Sequence, residues 1–173
     1  MKEVMILNKL RCYIFVGTIF VLILGTLAHF FYEWSNGNPL IGLFTPINES
    51  TWEHMKLVFF PMLLFTVIAT PKLKDIYPCI TSSFLSGILI GTCLIPIFFY
   101  TYTGILGYNL LFFDICCFIL AVIAAFCSSY KLTLSCIMQK NTNVLLIAVG
   151  ILLICFVACT LFPPDIALFA DPV

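Results

Sequence analysis

Apolar residues along this chain come in long unbroken runs, not in the alternation of a strand or the one-faced stripe of a surface helix. Five runs, at residues 12–32, 51–70, 76–100, 107–130 and 143–162, stand out. Each is long enough to cross a membrane, because a hydrocarbon core of about 30 Å takes about 20 helical residues. Lipid offers the backbone no hydrogen-bond partner, so only helices and closed barrels span it, and barrel strands would be short and alternating. The pattern predicts an all-α polytopic membrane protein: a single transmembrane domain over residues 1–173, folded as a bundle of five transmembrane helices. Lys2, Lys9 and Arg11 precede the first run as they would in a signal peptide. That run is too long for an h-region, however, and residues 29–34 make a poor cleavage site.

Polar positions give the bundle a direction. With the amino terminus in the cytoplasm, Lys2, Lys9, Arg11, Lys72, Lys74, Lys131 and Lys140 all fall on the inner side, leaving only Lys56 of the eight cations outside. Cations collect on the cytoplasmic side of membrane proteins, so this asymmetry predicts an N-in, C-out topology. Glu33, Glu49, Glu53, Asp165 and Asp171 fall outside, and Asp114 lies toward that side. Composition agrees, because 62% hydrophobic and 9% charged residues exceed what a soluble core of this size could hide. A net charge of zero leaves no electrostatic ground for a nucleic-acid partner; the lipid bilayer is the expected surrounding.

Several features bear on packing. Ser83, Gly87 and Gly91 recur every four residues, a stripe that lets another helix backbone come close. Pro61 and Pro96 lie inside spans, where they would kink a helix and open a cavity toward the outer leaflet, or simply be tolerated. Most of the nine cysteines fall within spans as small apolar residues and none forms a zinc-type CxxC pair, so neither a disulfide framework nor a cysteine metal site is expected. Residues 34–50 form the longest connection, whose Leu40, Ile41, Leu43 and Phe44 should enter the interface or cover helix ends. Trp34, Trp52, Tyr100, Tyr102 and Tyr108 fit an interfacial aromatic belt.

Candidate chemistry gathers near the outer surface. The uncharged part of the second span, residues 57–70, has 14 residues and reaches only about 21 Å. Either the bilayer thins there or Glu53, His54 and Lys56 enter its boundary, where a charge needs a partner. His29 stands four residues before Glu33 on one helix face, and Asp114 lies about two turns below the outer end of the fourth span. Imidazoles and carboxylates at one depth suit a divalent metal such as zinc. The candidate ligands are His29, Glu33, Glu53, His54 and Asp114, with Glu49 in reserve. With one coordination position left open, Glu53 or Asp114 would act as acid or base in hydrolysis of a lipid or peptide at the membrane surface.

Non-catalytic readings stay open beside this one. Ser50 to Glu53 match a capping box. Lys56, three residues after Glu53, could pair with it, and His29 with Asp114 could fasten two helices. The protein would then be an accessory or structural membrane protein, with its cluster locking helices together or binding a partner membrane subunit. A small-molecule or ion transporter using Asp114 for proton coupling is a further alternative, though no internal repeat supports it.

Pro46, Asn48, Glu49, Ser50, Trp52, Glu53, His54 and Lys56, with His29, Tyr32, Glu33 and Trp34 before them, resemble a family of small bacterial integral membrane proteins of unknown function. Pro163, Pro164, Ile166, Leu168, Phe169, Asp171 and Pro172 fit the same pattern. The likeness covers nearly the whole chain, although the family continues a few residues past the Asp-Pro pair. It implies a multi-pass protein of a bacterial cytoplasmic membrane and brings with it no activity, substrate or cofactor.

Overall fold

A computed structural model describes residues 2–171, the side chains of Lys2 and Glu3 excepted; those two charges and Pro172 lie outside the described residues. The chain forms α1 (Lys2–Trp34), α2 (Pro39–Gly42), α3 (Thr51–Leu73), α4 (Ile80–Leu106), α5 (Leu111–Ser135) and α6 (Thr142–Leu161), with 3-10 turns at Gln139–Asn141 and Ala167–Phe169. No strand occurs among the described residues. All but α2 are long and apolar enough to cross a membrane. They run up and down, so the turns at 74–79 and 136–141 share the cation-rich end with the start of α1. Residues 35–50, 107–110 and 162–171 share the other, loop-bearing end.

Each expected run coincides with one helix, displaced at its ends for local reasons. α1 reaches back to Lys2 because nothing before Cys12 breaks a helix. α4 starts at Ile80, not 76, because Tyr77 and Pro78 belong to a turn in which the Tyr77 hydroxyl donates to the Ile6 carbonyl. Its carboxyl end runs past Tyr100 to Leu106, where Gly107 takes the left-handed conformation with φ 81°. α3 and α4 continue unbroken through Pro61, Pro71 and Pro96.

The core lies where α3 and α4 meet α1 and α5. α3 and α4 are the most enclosed helices, whereas α6 turns Val144, Ile147, Ile151 and Ile154 outward. Such a surface is stable against lipid and not against water. The small-residue stripe acts as its spacing predicts: it faces Ala121, Ala125 and Ser129 of α5. A Cβ on Gly87 would fall 2.8 Å from the Ala125 carbonyl oxygen and 2.1 Å from the Ser129 hydroxyl.

Two expectations are corrected. Cys79 and Cys136 form a disulfide, with Cα atoms 5.3 Å apart, against the expectation of none. Both sit in turns, one preceding α4 and the other following α5. Because these helices pack antiparallel, their ends are brought together at the cation-rich end. Trp52 is not in an aromatic belt: it is 8% exposed and packs between Phe156 and Phe169, at centroid distances of 4.7 and 4.9 Å. Tyr102, half-buried, turns inward to Asp114, whereas Trp34, Tyr100 and Tyr108 remain exposed as belt residues do.

The charges at the start of the short uncharged part of α3 are paired. Lys56 is fully buried; its ammonium donates to Glu53 Oε2 at 2.6 Å, Thr160 Oγ1 at 2.6 Å and the Gly42 carbonyl at 2.9 Å. Glu53 also accepts from the Ile47 amide at 3.1 Å. One ion pair thus ties α3 to the 42–47 segment and to α6. The same segment lays Phe44 against Phe60 in an edge-to-face contact at 5.2 Å, while Leu40 stays exposed.

Candidate metal centre

The site is built at the loop-bearing end from α1, the start of α3 and Glu49, the residue before the α3 N-cap. Ser50 is the N-cap of α3, in extended backbone, and its hydroxyl accepts from the Glu53 amide at 3.4 Å. Asn48 Oδ1 accepts from the Ser50 amide at 3.1 Å. These bonds fix the chain where Glu49 leaves the loop. One turn into α3, His54 Nδ1 lies 3.0 Å from the Ser50 carbonyl. A carbonyl only accepts, so Nδ1 is the donor in this contact, which leaves Nε2 as the ring nitrogen that faces Glu49 and could ligate a metal. Such a bond to the far ring nitrogen is how metal-binding histidines are oriented.

α1 brings the second imidazole. One turn before His29, a Cβ on Gly25 would lie 2.6 Å from the Leu57 carbonyl oxygen and 2.7 Å from the Phe118 ring. Only a residue without a side chain lets α1 approach α3 and α5 this closely. His29 and His54 consequently face each other with ring centroids 5.3 Å apart. Glu49 Oε2 lies 3.6 Å from His29 Nε2 and 3.4 Å from His54 Nε2, and one ligand atom from each residue falls within 4.8 Å of the others. Tetrahedral zinc with bonds of about 2.0–2.1 Å sets its ligand atoms about 3.3–3.4 Å apart. The two Glu49–imidazole separations, 3.6 and 3.4 Å, are close to that spacing.

The other candidates stand apart from this cluster. Glu33 is exposed on the last turn of α1 and does not join it. Glu53, the neighbour of His54, projects about 100° away around the helix and is engaged by Lys56. Asp114 is not among the three clustered ligands but lines the same cavity, and its carboxylate accepts a hydrogen bond from the Tyr102 hydroxyl. The cavity has a volume of about 430 Å³. His29, Glu49, His54, Asn109 and Asp114 form its polar wall, and Leu57, Ile95, Phe99, Leu111 and Phe118 are among its apolar lining. Ile95 adjoins Pro96, so the cavity lies beside one of the two prolines for which either an opening or simple tolerance is expected.

The carboxylate that joins the histidines is Glu49, which helix periodicity does not single out. Its signal is the Asn-Glu-Ser sequence: an Asx turn leading into an N-cap holds the intervening side chain at a helix mouth, next to whatever projects from the first turn. Chemically the set offers two imidazoles and one carboxylate beside the cavity. Three protein ligands with an open position characterise catalytic zinc, not structural zinc.

No curated protein and no solved structure matches the chain. One family model does match, and the match extends over residues 1–173. The chain belongs to DUF6512, a family of unknown function.

Proposed function

We propose that this is a multi-pass protein of a bacterial cytoplasmic membrane, with its amino terminus inside, that binds one zinc-type divalent metal through His29, Glu49 and His54 on the extracytoplasmic side. The convergence of the three ligand atoms within 4.8 Å carries this reading. The predominance of Lys and Arg at the opposite end supports the orientation. In the same reading the adjoining cavity receives a lipid or peptide, and the metal supplies Lewis-acid activation for hydrolysis. Asp114, on the wall of that cavity, is the acid or base, and its bond from Tyr102 holds the carboxyl group in place. Glu53 has a positioning role, since its partner is Lys56.

Elemental analysis of protein purified without chelator tests the reading. Wild type should carry about one zinc per chain, and His54→Ala should carry little. Metal-free wild type that also fails to take up added zinc would sink the proposal.

A second reading, a non-catalytic accessory or structural role, is favoured by one observation. The His29, Glu49 and His54 contacts join α1 to α3 even without a metal. Under that reading His29→Ala would lower the unfolding temperature in detergent equally with and without chelator. Under the metal reading chelator would destabilise wild type and leave the variant unchanged.

A further inference from the structure

A second recess lies between α1 and α5 at the opposite end of the bundle, with a volume of about 390 Å³. It is lined by Arg11, Ile14, Phe15, Thr18, Cys127, Tyr130 and Lys131. Its charged groups stand at the mouth and its apolar groups lie deeper, where the Thr18 hydroxyl is turned back to the Ile14 carbonyl. Arg11 and Tyr130 stand level, because the Arg11 guanidinium Nε donates to the Tyr130 hydroxyl at 3.3 Å, and Lys131 follows Tyr130 directly. Ile14 and Thr18 lie about 5 and 10 Å deeper along α1, and Cys127 about 5 Å deeper along α5. Phe15 is exposed beside them. Among the described residues no carboxylate lines the recess.

We propose that this recess is a binding site for an anionic phospholipid. The phosphate sits between Arg11, Lys131 and the Tyr130 hydroxyl, and an acyl chain runs inward along Ile14, Phe15 and Cys127. A guanidinium and an ammonium at one level give two positive charges where a lipid phosphate lies, and the apolar floor continues in the direction that its tail must take. A soluble anion would satisfy only the upper half of the recess. A zwitterionic lipid would satisfy the lower half but bring its own cation toward Arg11 and Lys131. The inference is independent of the metal site, which lies at the other end of the helices.

Native mass spectrometry of the full chain in detergent tests it by titration with phosphatidylglycerol, with phosphatidylcholine of the same acyl chains, and with inorganic phosphate. Wild type should retain one phosphatidylglycerol and at least about tenfold less phosphatidylcholine, and millimolar phosphate should not displace the lipid. Lys131→Gln should weaken binding about fivefold, and Arg11→Gln with Lys131→Gln about thirtyfold, as expected for one and two membrane-surface cations. Lys140→Gln, which removes an exposed cation at the same end but outside the recess, should change it less than twofold. Equal retention of both lipids, displacement by phosphate, or an equal loss in Lys140→Gln would overturn the proposal. Lys131→Gln keeps the Arg11–Tyr130 bond, so it remains decisive if the double variant does not fold.

Discussion

The most consequential side chain outside the His-Glu-His cluster is Lys56. By position it counts as the single cation on the outer side, an exception to the charge asymmetry. In the fold it is fully buried and saturated with acceptors, chief among them Glu53 at 2.6 Å. Removing one partner of such a pair leaves the other charge buried and uncompensated, which costs about 3–5 kcal/mol, whereas replacing both with apolar residues is close to neutral. Lys56→Met should therefore destabilise the protein strongly in detergent unfolding, and Glu53→Leu with Lys56→Met should recover much of the loss. A double variant no more stable than the single one would show that the hydrogen bonds to Gly42 and Thr160, and not the charge pair, hold this corner. The spacing of Glu53 and Lys56 was legible in the sequence, and so was their pairing as an option. Their burial was not, because it depends on the 42–47 segment folding back over them. The same limit applies to Glu49 and Glu33. Helix spacing favours Glu33 as the partner of His29, and only the path of the loop brings Glu49 there instead.

At the scale of helices, the sequence was most informative where a single element carries its own signal. Runs of about 20 apolar residues sufficed for five spans, and the four-residue stripe of Ser83, Gly87 and Gly91 sufficed for close packing of α4. Gly87→Ala should reduce stability by about 1–3 kcal/mol, since its Cβ would press on the backbone of α5. Gly104→Ala, with nothing within 4 Å of its Cβ, should be neutral or stabilising; equal losses in thermal unfolding would place the α4–α5 contact elsewhere. The Cys79–Cys136 bridge lay beyond such reading, because neither residue signals the other until α4 and α5 are set antiparallel. Thiol titration of protein denatured without reductant should find the seven other cysteines free and all nine after reduction. Nine before reduction would remove the bridge.

For the molecule as a whole, the two ends differ in kind. One end gathers Lys and Arg around a recess, and the other places two imidazoles, a carboxylate and Asp114 around a cavity. The orientation proposed from the cations predicts that alkaline phosphatase fused after Val173 is active in bacterial cells and that a green fluorescent protein fused there stays dark. The reverse result would place the His-Glu-His cluster in the cytoplasm. Metal binding by that cluster is the central claim, and it is tested most directly by the anomalous scattering of zinc in crystals of the metal-loaded protein. A single peak should appear about 2.0–2.2 Å from His29 Nε2, His54 Nε2 and a Glu49 carboxylate oxygen. Well-ordered side chains with no peak between them, or zinc bound only elsewhere, would contradict the account.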